Sequence, residues 1–244
     1  VTDPLGQRFA AARADRRHAV LEGFHALKHA LRFGAEVELV VAVDPEALER
    51  MADELAPDLA GRFGALAQTV QPSALAHLAP RSPRTQVLAI ARRPPFDATR
   101  LAGGPIVLLE DPRDLGNVGA VVRVAAAADA AAVVTSGRHD PWDPAALRGS
   151  AGLHYALPVG RDDAFDPGER PLLALDPDGD PLDPAGLPSD AVLAFGTERD
   201  GLSDALLARA DGRLRIPMRA GVSSLNLATA VAAVLFAWRL TGDS

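Results

Sequence analysis

Ser224 and Asn226, two residues apart, close a polar loop that starts at Ile216-Pro217-Met218 and contains Gly221. The loop follows a strand-like run, and Ser224-Leu225-Asn226 opens a long apolar helix. Hydroxyl, amide and free backbone N–H groups therefore gather at a helix start, a natural place for a ligand or a reaction. A second stretch, Phe195-Gly196-Thr197-Glu198-Arg199-Asp200-Gly201-Leu202, also follows a strand and precedes a helix. Gly196 permits close backbone approach to a ligand, Glu198 offers a carboxylate at a strand end, and Ser203 can cap the next helix. A third stretch runs from Leu108 through Glu110, Asp111, Gly116, Asn117 and Gly119 to Arg123. Here a strand ends in acidic residues, a glycine-rich turn follows, and Asn117 is placed to cap a helix carrying Arg123. Each stretch alone is common scaffolding, with Ser223 or Ser224 no more than a helix cap. Three such strand ends in one parallel sheet, however, share one edge, where open α/β folds bind ligands.

The elements that must position these residues alternate along the chain. In the N-terminal part, Gly23–Phe33 reads as a helix, with Phe24, Leu27 and Leu31 at helical spacing, and Val37–Val43 as a buried strand. Glu46–Leu55 reads as a helix after Pro45, Ser73–Leu78 as a short helix and Gln86–Ala91 as a strand. Arg92 to Gly104, with two Pro and two Gly, reads as a linker. Beyond it, Ile106–Leu109, Ala131–Val134, Leu172–Leu175, Val192–Phe195 and Leu214–Ile216 read as strands. Gly119–Ala128, Pro144–Ser150, Ser203–Ala210 and Ser224–Leu240 read as helices. Short continuous apolar strands between helices indicate a mostly parallel sheet covered on both faces.

Composition narrows the chemistry. The 48% apolar share suffices for a substantial core. The chain has no Cys, which excludes disulfides, thiolate metal sites and Cys nucleophiles, and fits a reducing, cytoplasmic setting. No membrane span or secretory leader is expected. His25 and His29 stand four apart on a helix, but no third ligand accompanies them, so no metal is expected. Gly149-Ser150-Ala151-Gly152 lacks the nucleophile elbow of a serine hydrolase that would use Ser150 and His154. The net charge of −7 does not advertise a nucleic-acid binder, yet it is uneven: residues 1–100 sum to +1 and residues 101–244 to −8. Arg8, Arg13, Arg16, Arg17, Lys28 and Arg32 make the first 33 residues the most basic part. They form either a solvated helix face or a phosphate-contacting surface.

Asn117-x-Gly119-x-x-x-Arg123, Gly196-x-Glu198-x-x-Gly201-Leu202 and Ile216-Pro217-Met218 with Ser224-Leu225-Asn226 resemble, in order and spacing, three signature motifs. These are the motifs of SpoU/TrmH-type RNA ribose methyltransferases, within the SPOUT superfamily. Arg148-x-Ser150-x-Gly152, before a strand ending at Leu157-Pro158, is similar to the same family. The motif-bearing resemblance covers roughly residues 105–240. Arg16, Val20, Glu22 and Gly23, followed by an α/β pattern ending in Gln86–Ile90, look more loosely like that family's L30e-like substrate-binding domain.

The resemblance implies an α/β protein. A small L30e-like domain (1–93) and a linker (94–104) precede a mostly parallel-sheet methyltransferase domain (105–244) with a C-terminal trefoil knot. It implies S-adenosylmethionine as cofactor and a ribose 2′-hydroxyl of structured RNA as acceptor, with ribosomal RNA favoured over transfer RNA. It also implies a homodimer whose subunits share the RNA site. Carried over by position, Phe195, Gly196, Ile216, Met218 and Leu225 would line the cofactor pocket. Asn117, Arg123, Glu198, Ser224 and Asn226 would form the polar reaction site, and Arg8, Arg13, Arg16, Arg17 and Arg148 would contact RNA. A guanidinium has no acceptor and stays protonated, so Arg123 is read as a phosphate grip rather than a base. Ser224, Asn226 or the phosphate would take the proton, and Glu198 would orient the loop or Asn117. The competing reading is a non-catalytic RNA-binding protein with a degenerate methyltransferase domain, and the intact motif residues argue against it.

Overall fold

Asp3 starts the first helix, α1 (Pro4–Ala14): its carboxylate accepts from the Gly6 amide at 2.9 Å, and Pro4 occupies a first-turn position that needs no N–H. The computed structural model describes residues 3–79, 81–197 and 200–242, so Glu198 lies outside the described residues. Sequence periodicity misses α1 because only Phe9 and Ala12 of it are buried. β1 (His18–Glu22), α2 (Phe24–Arg32), β2 (Val37–Ala42), α3 (Pro45–Leu55), α4 (Arg62–Leu66), β3 (Ala67–Thr69), α5 (Pro72–Leu78) and β4 (Val87–Arg92) follow. The four strands form one sheet in the order β1-β4-β2-β3, with β4 antiparallel to both neighbours and β2 parallel to β3. Phe9, Val20, Leu39, Val41, Leu88 and Ile90 pack its core with Leu75 and Leu78 of α5.

The chain divides into two units: residues 1–95 with Ala151–Ala156, and residues 96–150 with 157–244. Inside the first unit, the Ala151 carbonyl accepts from His29 Nδ1 at 2.7 Å. Gly152 there adopts φ +80°, and a Cβ on it would lie 2.6 Å from the Ala26 carbonyl oxygen.

The second unit contains β5 (Ile106–Leu109), α6 (Leu115–Ala127), β6 (Ala132–Thr135), α7 (Pro144–Gly149) and β7 (Val159–Arg161). β8 (Leu172–Pro181), β9 (Val192–Phe195), α8 (Asp204–Arg209), β10 (Gly212–Arg215) and α9 (Leu227–Gly242) complete it. Its sheet runs β10-β8-β9-β5-β6-β7, and every neighbouring pair is parallel. One core joins Ile106, Leu108, Val134, Leu172, Val192 and Ala194 to Leu202 and Leu206. Phe96, Ala98 and Leu101 pack against that core, and Arg170 donates to the carbonyls of Leu101, Gly104 and Asp190. Residues 96–104 of the stretch read as a linker thus lie on this unit.

Four local expectations need correction. The helix read as Gly119–Ala128 begins at Leu115, because Asp114 caps it by accepting from the Asn117 amide at 3.0 Å. Asn117 is therefore in the first turn and is not the cap. The glycines there make no turn: a Cβ on Gly119 would lie 2.1 Å from the Ala146 carbonyl oxygen, and one on Gly149 2.8 Å from that of Gly116. They let α6 and α7 pack backbone to backbone. The strand expected to end at Leu157-Pro158 instead starts at Val159, after a Pro that has no N–H to give the ladder. The C-terminal helix starts at Leu227, three residues later than read, which leaves Ser224 and Leu225 in a loop.

Candidate functional site

Loops beyond the carboxyl ends of β9 and β10, with a stretch inside β8, border a cavity of about 720 Å³. β8 reaches it through a bulge. Its register with β10 jumps from Ala174↔Arg213 to Asp180↔Leu214, and the bulged Leu175, Asp176 and Pro177 form one wall. Phe195, Gly196, Thr197 and Gly201 form a second wall, and the loop from Ile216 to Leu225 a third. All five residues carried over as cofactor contacts, Phe195, Gly196, Ile216, Met218 and Leu225, line this one cavity, and so do Ser223 and Ser224. Leu175, Ile216, Leu225 and Leu227 supply apolar surface, and Asp176, Thr197, Arg215, Arg219 and the two serines supply polar groups.

Gly196 has a structural reason to be glycine. A Cβ there would sit 2.0 Å from the Gly201 carbonyl carbon, so the chain at Gly196 presses against its own return strand rather than leaving room for a ligand. Thr197 and Gly201 exchange two backbone hydrogen bonds at 3.1 Å, and the Asp200 amide donates to Thr197 Oγ1 at 3.0 Å. These bonds tie Thr197 to Asp200 and Gly201.

Asn226 joins the third motif to the first. Its Oδ1 accepts from the amides of Ala228 at 3.0 Å and Thr229 at 3.4 Å, which makes it the cap of α9. The opposite end, Nδ2, donates to Asn117 Oδ1 at 3.1 Å. The cap fixes which end of the Asn226 amide faces α6, so the Asn117 oxygen is the acceptor. Arg123, also on α6, is exposed, does not line the cavity, and makes no hydrogen bond or ion pair among the described residues. Its charge is available to an external anion.

The RNA-contact candidates separate by what they already hold. Arg13 donates to the Leu78 carbonyl and lies over the Phe9 ring, and Arg17 forms an ion pair with Asp15 at 2.9 Å. That pairing holds the Asp15 carboxyl well below the usual carboxylate range. Arg8 and Arg16 are exposed and carry no such bond among the described residues, and Arg148 is exposed on α7. Ser150 and His154 are fully buried, which removes the hydrolase reading. Sequence reasoning passed over Asp176 and Leu175. The signal was Pro177, two residues beyond the strand read as Leu172–Leu175: β8 instead continues to Pro181 through a bulge, where a Pro is tolerated.

Residues 104–236 match the model of the SpoU rRNA Methylase family. A 23S rRNA (adenosine(1067)-2′-O)-methyltransferase of Streptomyces laurentii is 33% identical over 62% of this chain and 61% of that relative. The chain therefore spans about three fifths of that relative's length. An enzyme of the same description from Streptomyces azureus is 28% identical over 96% of this chain and 92% of the relative. The crystal structure of the SpoU methyltransferase AviRb from Streptomyces viridochromogenes, in complex with AdoMet, shares the fold with a TM-score of 0.79. It does so at 24% identity, over 100% of this chain and 99% of that one. With its motifs in order, on a six-stranded parallel sheet, the chain belongs to the SpoU rRNA methylase family.

Proposed function

We propose that this chain transfers the methyl group of S-adenosylmethionine to a ribose 2′-hydroxyl of structured RNA, with ribosomal RNA favoured over transfer RNA. The observation that carries the reading is the convergence of the second and third motifs on one cavity, with Asn226 bonded to Asn117 of the first. The cavity suits the cofactor. About 720 Å³ lies within the usual range of roughly 300–1,000 Å³ for small-molecule sites. Apolar walls at Leu175, Ile216 and Leu227 fit a nucleoside base, and Asp176 offers a negative partner for a cationic end. Support for the RNA class comes from the relatives, described as 23S rRNA 2′-O-methyltransferases.

When bound, S-adenosylmethionine supplies a methyl group already activated on sulfonium. The protein's task is then alignment and charge control. Exposed, and without a hydrogen bond or ion pair among the described residues, the Arg123 guanidinium grips the phosphate beside the target ribose and lowers the cost of the developing alkoxide. Ser224, at the cavity wall, orients the hydroxyl, and the Asn117–Asn226 bond holds the two helix starts in register. The RNA phosphate accepts the proton, directly or through Ser224 Oγ, which passes its own proton on.

The same reading makes the first unit an L30e-like RNA-binding domain, with exposed Arg8 and Arg16 as candidate phosphate contacts. It gives the segment after β10 a knotted path, a rare exception among chain threadings. It also makes the enzyme a homodimer that covers the exposed Phe236 and Leu240 of α9. Titration with S-adenosylmethionine tests the site. Saturable one-to-one binding is expected, weakened at least about tenfold in Leu225→Asp, which charges an apolar wall. No binding by the unmodified protein would favour the non-catalytic RNA-binding alternative.

A further inference from the structure

Glu110 directly follows β5, and Ser203 caps α8. One oxygen of the Glu110 carboxylate accepts from the Ser203 amide at 2.7 Å, and the other accepts from the Ser203 hydroxyl at 2.6 Å. That hydroxyl in turn accepts from the Leu206 amide at 3.2 Å. The Glu110 amide donates to the Phe195 carbonyl at 3.0 Å. One residue therefore grips both ends of the segment 196–202: its backbone holds Phe195 and its side chain holds Ser203. Gly196, Thr197 and Gly201 of that segment line the cavity, whereas Glu110 does not. A second bond across the same gap, Arg113 to Asp200 at 2.9 Å, joins two exposed side chains and is correspondingly weak. The Glu110–Ser203 contact, also at the surface, differs in making two short bonds, one of them from a backbone amide that side-chain rotation cannot withdraw.

The geometry points to Glu110 as the positioning residue for the cofactor wall. It acts by presetting the second motif in its binding shape, so that S-adenosylmethionine need not order it on entry. This rests on the reading of the cavity as the cofactor site. Glu110 does not line the cavity and bonds to none of Asn117, Arg123, Ser224 and Asn226 among the described residues, so its loss weakens cofactor binding far more than the chemical step.

The experiment is calorimetric titration of S-adenosylmethionine into the full chain and into Glu110→Ala, Glu110→Gln, Ser203→Ala and the Glu110→Ala/Ser203→Ala double variant. It is paired with methyl-transfer rates at saturating cofactor. Glu110→Ala is expected to raise Kd on the order of tenfold, as loss of bonds to a charged group predicts, with kcat within about twofold. Glu110→Gln, which keeps one acceptor oxygen, should recover part of the affinity. The double variant should cost no more than the worse single variant, as for two groups acting as a unit. Amide hydrogen exchange over residues 196–203, faster in Glu110→Ala while the rest of the chain keeps its protection, separates loop release from general unfolding. An unchanged Kd in Glu110→Ala, or a fall in kcat as large as the rise in Kd, overturns the positioning role. Absence of binding by the unmodified protein sinks the cofactor reading itself, a distinct result.

Discussion

At the residue scale, two asparagines carry more than their types suggest. Asn226 caps α9 with one end of its amide and reaches Asn117 with the other. Asn226→Ala loses both, and should lower stability by about 1 kcal/mol, the usual cost of a lost cap. It should also cut methyl transfer by roughly tenfold or more through misalignment; thermal unfolding and steady-state rates read the two effects separately. Arg123→Lys keeps a charge without the fork and should retain part of the activity that Arg123→Ala loses. Arg123→Ala removes the charge and reduces the slope of log K against log salt by about 1, whereas Arg123→Lys leaves that slope nearly unchanged. Complete loss of activity in Arg123→Lys with normal RNA binding would count against the phosphate role.

His29 supplies a residue-scale pH prediction. Burial lowers its pKa first, and the charges of Lys28, Arg32 and His25 add to that, against the opposing Ala151 carbonyl. That carbonyl cannot donate, so the neutral ring carries its proton on Nδ1. With the folded pKa below the unfolded one, the unfolded chain takes up the proton first as pH falls. The stability held by neutral His29 is therefore present above about 6.5, the ordinary His value, and declines as pH falls through the folded pKa. Urea unfolding midpoints should drop between pH 7.5 and 5.5, and drop less in His29→Phe. Equal pH slopes in both proteins would contradict the assignment.

At the element scale, the sequence was most readable where apolar runs were continuous and least where a single side chain decided a boundary. β5, β9 and the body of α9 follow from runs such as Ile106–Leu109 and Val192–Phe195. The start of α6 did not, because Asp114 competes with Asn117 for the cap and only the fold shows which carboxamide or carboxylate meets the free amides. β1 and β3 were missed as short segments with mixed burial, and the β8 bulge because register is a property of two strands. The site was legible as motifs, but the cavity wall from Leu175 to Pro177 depends on that bulge. The motif glycines predict their own test. Gly119→Ala forces a Cβ against the Ala146 backbone, which cannot give as a side chain could. Overpacking costs of about 1–3 kcal/mol outweigh the gain of up to about 1 kcal/mol in helix propensity. Its unfolding temperature should fall, and an unchanged or raised value would mean that α6 and α7 are not in backbone contact.

At the scale of the whole molecule, acidity and the proposed RNA substrate are reconciled by distribution. The first 100 residues sum to +1 while the rest carries −8, so exposed Arg8 on α1 and Arg16 in the turn after it stand out against an acidic background. The exposed Phe236 and Leu240 of α9 are the apolar surface that the proposed dimer would cover. Sedimentation should give twice the chain mass, and Phe236→Glu/Leu240→Glu should give the monomer. Cofactor-dependent methylation of a ribose hydroxyl is tested by methyl transfer itself. S-adenosylmethionine with a labelled methyl group is incubated with ribosomal RNA and, separately, transfer RNA, and the digested nucleosides are identified. The account predicts label on a 2′-O-methylated nucleoside, from the ribosomal RNA. Label on a base, or cofactor binding without transfer to any RNA offered in its native assembly, would contradict it.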